Sequence, residues 1–341
     1  MMRMINFLIK TAVTLYFLLF IEVPNIYAQN KEWLHFKPES NKAVGKKIVL
    51  ISGDEEYRTE ESMPMLAKIL TTHHGFETVV LFSINPNTKE IDPEYQKNIP
   101  GLVSLKDADL MIIGTRFRAL PDSQMVYIDE YLKAGKPVMG FRTATHAFNF
   151  AQDLPTSYRH YSYNNKDEVW KGGFGGLVLG ETWVNHHGIH GKEGTRALIN
   201  ELESLPNPIL KGVKDIWGYS DVYGIKNSLS DATILLLGQP TEGMTSDTPI
   251  NMSKSTMPIA WTRSYKIPSG KAGKVFVTTM GSSVDFLSKD LRRLLVNATY
   301  WSLGQEEKIS EDYCVDPVDT FAPTMFGFGT HKKGIYPKDY Y

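Results

Sequence analysis

Six stretches of this chain gather residue types that bind oxyanions and move protons. In GFRTATHAF (Gly140–Phe148), Arg142 supplies a permanent cation able to grip a carboxylate, a phosphate or a developing oxyanion. His146 follows it closely, and an imidazole of ordinary pKa near 6.5 is suited to general-base work at neutral pH. Thr143 and Thr145 offer hydroxyls to the same place or cap the helix that follows. In FGGLVLGETWVNHHGIHG, the residues His186, His187 and His190 fall within five positions and are flanked by glycine. Neutral imidazoles ligate zinc, so a divalent metal such as zinc is one reading of this cluster. HHxxH without helical periodicity is not a specific metal motif, and histidines lining a loop are the other. GDEEYR (Gly53–Arg58) offers Tyr57 and Arg58 beside acids that also suit a helix N-terminus. TSYRHYSYNN adds Arg159, YSDVYG adds Asp221, and AWTRSY adds Trp261 and Arg263. Aromatic faces beside hydroxyl-binding polar groups match a carbohydrate, whose ring stacks while its rim hydrogen-bonds.

These groups need elements to hold them. KKIVLISG (Lys46–Gly53), FETVVLFSI (Phe76–Ile84), ADLMIIGT (Ala108–Thr115) and KPVMGF (Lys136–Phe141) read as four buried strands. Helical apolar spacing separates them at Ser62–Thr72 and Pro121–Ala134. Strand–helix alternation with short links predicts parallel strands, right-handed crossovers and helices on both faces of the sheet. Ligands in such sheets bind beyond the carboxyl ends of the strands. There stand GDEEYR, GTRFR and GFRTATHAF. The fourth strand meets its helix through a tight turn with Arg142 at the apex, a geometry that exposes the apex residue. If the His186–His190 loop folds over these strand ends, His186 or His187 faces the same cleft as His146.

The second half is less periodic. Asp231–Gly238, Pro258–Lys266 and Lys274–Met280 read as strands and Ser283–Gly304 as one long helix. Residues 29–45 are polar and read as a flexible N-terminal segment, and 305–341 as a turn-rich extension packed on the surface. At the start, Arg3 and Lys10 precede a short apolar run, Thr11–Val23, and Ala28 closes it. That is the layout of a signal peptide over residues 1–28, with export to the periplasm or outside and no stable membrane insertion after cleavage. The run is shorter than the roughly 20 apolar residues of a membrane span.

A net charge of −1 carries no basic excess, which argues against a nucleic-acid partner. The expected partner is a small carbohydrate; nothing in the chain signals an oligomeric state. Cys314 is the only cysteine, so no intramolecular disulfide forms. It lies far from the tight turn and lacks a nearby histidine.

Together GFRTATHAF, FGGLVLGETWVNHHGIHG, WGYSDVYG, MPIAWTRSY and VFVTTMGSSVDFLSKDLRRLLVNATYWSLG resemble the ThuA-like (trehalose utilisation-like) family, in one domain over 46–304. The resemblance implies a three-layer α/β/α fold with a mainly parallel, flavodoxin-like sheet, similar to class I glutamine amidotransferases. In those enzymes the tight turn carries a cysteine nucleophile. Here Arg142 stands in that place, which argues against glutamine hydrolysis. The family is associated with disaccharides and their 3-keto derivatives. That implies carbohydrate catabolism; the chemistry of the residues themselves suits proton transfer next to a carbonyl, with His146 or His187 as base and Arg142 holding the oxyanion. Arg142, Thr143, His146, His186 and His187 carry site membership over. A non-catalytic sugar-binding module and a metal-dependent hydrolase built on the histidines are the alternative readings.

Overall fold

The computed structural model describes residues 32–200, 206–226 and 229–341. Trp33–Phe36 forms β1, Lys47–Gly53 β2 and Thr59–Thr72 the helix α1. Then come Glu77–Leu81 (β3), Leu110–Thr115 (β4), Asp122–Lys133 (α2) and Val138–Phe141 (β5). The second half contributes Asn185–His186 (β6), Thr195–Ile199 (β7), Trp217–Gly218 (β8) and Tyr223–Gly224 (β9). Thr233–Pro240 (β10), Met257–Tyr265 (β11), Gly273–Thr278 (β12) and Lys289–Ser302 (α3) complete it. The expected signal peptide, residues 1–28, lies outside the described residues. Among those described, no helix is long and apolar enough to cross a membrane.

The four buried runs of the first half are parallel neighbours, in the order β3-β2-β4-β5. Their alternate side chains feed two cores. Ile48, Leu50, Leu110 and Ile112 pack with Met63, Leu66, Ile69 and Leu70 of α1 and Leu291, Leu294 and Leu295 of α3. Val49, Ile51, Met111 and Ile113 pack with Met125, Ile128 and Leu132 of α2. Each fully buried side chain of this size contributes roughly 1.5–3 kcal/mol. Burial on both faces explains why these strands read as continuous apolar runs rather than alternating ones.

The sheet is mixed, where the family resemblance implied a mainly parallel one. It continues β5-β12-β11-β10-β7-β8, and beyond the parallel β5–β12 pair every neighbour is antiparallel. The linker between β11 and β12 explains this. Only residues 266–272 separate them, too few for a parallel crossover of about a dozen residues. At the other edge, the 29–45 segment expected to be flexible supplies β1, which pairs antiparallel with β3. The expected Ser283–Gly304 helix is two pieces. Ser283–Leu287 is a 3-10 turn, and α3 starts afresh at Ser288, whose hydroxyl accepts the Leu291 N–H.

β2 lies between β3 and β4, so the chain leaves it first to one side and then to the other. The crevice beyond the ends of β2 and β4 is the topological switch point of the sheet, where such folds bind ligands.

Candidate functional site

β5 ends in an elbow at Arg142, the first residue of a short 3-10 turn, Arg142–His146. Arg142 has φ 40°, a left-handed conformation that costs a non-glycine residue energy and marks a constrained position. Its side chain is not exposed at the apex as the turn geometry suggested; it is 1% accessible. The guanidinium is stacked between the rings of Tyr57 and Tyr223, at 4.1 and 4.0 Å. Nη1 donates to the carbonyls of Asp221 (3.0 Å) and Thr279 (2.8 Å). Nη2 donates to the Tyr57 hydroxyl (3.1 Å) and to Asp221 Oδ1 (3.0 Å). Both terminal nitrogens are thus committed to the protein, and Arg142 fixes Asp221 rather than holding an oxyanion.

Asp221 is the centre of the site. Its buried carboxylate meets His186 Nδ1 at 2.7 Å on Oδ2 and His190 Nδ1 at 3.2 Å on Oδ1. Burial raises its pKa, but the hydrogen bonds from His186 and His190 and the charge of Arg142 outweigh that and hold it well below the usual carboxylate range. The far nitrogen of His190, Nε2, lies 3.2 Å from Glu56 Oε1. Burial, reinforced by Asp54, raises the Glu56 pKa, against the pull of Arg116, Arg142 and His190.

Local folding explains how distant segments meet. β6 pairs with β9, setting His186 opposite Tyr223. Adjacent strand residues point to opposite sides. His187 therefore turns away, and its Nε2 bonds the Ser255 carbonyl at 2.7 Å. The loop then returns His190 to the side of His186, with ring centroids 4.7 Å apart. The β2 end is fixed by Asp54, which accepts the backbone N–H groups of Glu56 and Tyr57 and the Thr143 hydroxyl at 2.5 Å. Glu55 pairs with Arg116 and Arg118 at 2.5 and 2.6 Å.

His146 lines the same region without joining the cluster. Its ring is buried among Phe117, Trp183 and Tyr223, with centroids at 5.0, 5.3 and 6.1 Å. Burial first, then the charges of Arg116, Arg142 and His186, push its pKa well below the ordinary 6.5, so it is neutral at working pH. Trp183 also meets His186, at 5.7 Å, which ties this aromatic wall to the cluster. Phe326, from the C-terminal extension, packs on Tyr57 and His190 at 5.4 and 5.3 Å.

Of the residues expected at the site, the structure brings Tyr57, Arg142, Thr143, His146, His186 and Asp221 together. Four others have structural posts. Arg58 is buried and donates to the carbonyls of Glu55, Glu56 and Gly327. Arg159 bonds the Leu154 carbonyl. Trp261 and Arg263 share one side of β11 and donate to carbonyls of the Gly175–Leu179 turn. His190 was expected only as a metal ligand, and Glu56, Tyr223, Trp183 and Phe326 were not expected. Tyr223 was within reach, two positions after Asp221; Phe326, in a turn-rich stretch, left no signal. A separate groove between α1 and Val318–Pro323 holds an ion pair of Lys68 and Asp319 but none of the histidines.

The ThuA family model, described as trehalose utilisation, matches residues 47–302. The chain belongs to the ThuA family. The Asp221 cluster, the elbow and the strand ends all fall inside the matched region. No curated protein matches the chain. Among solved structures, a ThuA-like protein from Parabacteroides merdae shares 14% identity, over 86% of this chain and 98% of that one, with TM-score 0.48. The exo-beta-1,4-mannosidase Op5Man5 from Opitutaceae bacterium strain TAV5 shares 9%, over 76% of this chain and 34% of that one, with TM-score 0.33. At such identities neither protein's chemistry transfers to this ThuA-family chain.

Proposed function

We propose that this ThuA-family protein acts on a glycoside or its 3-keto derivative by proton chemistry next to a carbonyl, centred on His186, His190 and Asp221. One observation carries the reading. A buried carboxylate, itself fixed by a buried arginine, orients two partly exposed imidazoles at the switch-point crevice. An oriented imidazole is the commonest proton-transfer group near neutral pH. The partly exposed ring of Trp183 beside it supplies an apolar face on which a sugar ring stacks, backed by the buried rings of Tyr223 and Phe326. The base therefore moves from His187, which is turned away, to the cluster. His146 becomes part of the wall.

The test is turnover of a panel of glycosides and 3-keto-glycosides by the purified protein. His186→Ala and His190→Ala are expected to lower kcat by about 10²–10⁴-fold. His187→Ala is expected to retain wild-type turnover. Full turnover in both cluster variants would overturn the proposal and favour a sugar-binding module that uses only the aromatic wall.

A further inference from the structure

His190 stands between two carboxylates. Its Nδ1 is 3.2 Å from Asp221 Oδ1 and its Nε2 is 3.2 Å from Glu56 Oε1. Ionised carboxylates only accept hydrogen bonds, and a neutral imidazole has a single N–H to give. A cation placed beside this imidazole would meet both carboxylates. His186 brings another nitrogen to the same carboxylate, 2.7 Å from Asp221 Oδ2. One donor atom from each of His186, His190 and Asp221 lies within 4.8 Å of the others. Bonds of about 2.0–2.1 Å to a first-row ion hold neighbouring ligands roughly 3–3.5 Å apart. Small inward shifts therefore seat all three donors on one centre.

We infer that His186, His190 and Asp221 form a site for a divalent first-row cation, with Zn²⁺ the best match to two imidazoles and one carboxylate. The surroundings fit this assignment. Glu56 lies 3.2 Å from the far nitrogen of His190, a contact that favours the tautomer with Nδ1 free to ligate. Arg142 and its two tyrosines hold Asp221 in the same way. Such outer partners orient ligands and tune their basicity. The two imidazoles are 32% and 34% exposed, so the centre keeps an open side for a water or a sugar oxygen. A water on the ion, acidified by it, gives up a proton to solvent, and the hydroxide left behind takes over from the ligated imidazoles as the proton acceptor. The inference deepens the proposed function, resting on it only for what enters that open side.

The experiment is titration of the chelator-stripped full chain with Zn²⁺ alone, followed by calorimetry and elemental analysis. One ion per chain is expected. His186→Ala and His190→Ala should each weaken binding at least about tenfold, and Glu56→Gln by about 10–100-fold. His187→Ala should bind as wild type does. Thermal melts of the stripped variants separate lost ligation from lost folding, and Co²⁺ loading adds a visible spectrum that should vanish in His186→Ala. Absence of stoichiometric binding would overturn the inference. Equal loss in His187→Ala would overturn it too. The two proposals fail separately. Stripped protein that binds no Zn²⁺ and still turns over a sugar sinks the cation site and keeps the function. Zn²⁺-loaded protein that leaves every glycoside intact does the reverse.

Discussion

At the scale of single residues, the site rests on Arg142, and its role was only half legible. Its place at the elbow could be read from Gly140, Phe141 and the threonines that follow. That it would be buried could not, because Tyr57, Asp221, Tyr223 and Thr279 converge on it from three separate segments. Local sequence says nothing of such convergence. The histidines teach the same lesson in finer detail. His186 and His187 are equivalent as letters, and only their places in a strand pair separate them. A guanidinium that stacks twice and donates to three partners has no lysine equivalent. Arg142→Lys is therefore expected to cost about 3 kcal/mol, as when a buried ion pair loses its geometry. Urea denaturation measures this, and a loss within about 1 kcal/mol would show that Arg142 does not hold the site together.

At the scale of elements, the first half was readable because its strands are buried on both faces and their crossovers carry helical patterns. β1 escaped notice because its four residues include only one fully buried side chain, Leu34. In the antiparallel half β10, β11 and β12 were legible as strands but not as directions, although the short linker after β11 limited the choice, and the short β7 and β8 were not read as strands. The Gly175–Leu179 turn gave no periodic signal at all. Its packing against the elbow explains the glycine. A Cβ on Gly175 would meet the Thr145 carbonyl oxygen at 2.1 Å and the Glu181 carbonyl oxygen at 2.9 Å. Both neighbours are backbone, so the elbow itself must shift. Gly175→Ala is expected to destabilise by about 1–3 kcal/mol and to lower turnover. Gly243→Ala is the control, since a Cβ there meets only the Thr248 side chain. Equal melting temperatures for the two variants would refute the close-packing account.

At the scale of the whole molecule, the C-terminal extension does more than cover surface. Thr324 donates to the Glu61 carboxylate through its backbone N–H and its hydroxyl, and Gly327 exchanges hydrogen bonds with Glu56 and Arg58. Further back, the His74 ring, between α1 and β3, bonds the Cys314 carbonyl at 2.9 Å. Burial lowers the His74 pKa to about 4, against the pull of that hydrogen bond. In the unfolded chain the ring accepts a proton near its ordinary 6.5. Between these values the unfolded state binds more protons, so stability falls as pH drops from 6.5 towards 4. The contribution lost amounts to at most about 3 kcal/mol. His74→Gln, which keeps a donor for Cys314, should therefore lose less stability than wild type between neutral and acid pH. Parallel slopes from denaturation at several pH values would contradict this.

The bond from Arg58 to the Gly327 carbonyl spans 269 positions of sequence. Phe326, the neighbour of that carbonyl, also closes on Tyr57 and His190. Contacts so distant along the chain form only after the loop between them has been drawn in, and they slow the steps that await them. The sheet and its helices therefore assemble ahead of the site they carry. During refolding, far-ultraviolet ellipticity should recover first. The capacity of the cluster to bind a ligand should return in a later phase of its own.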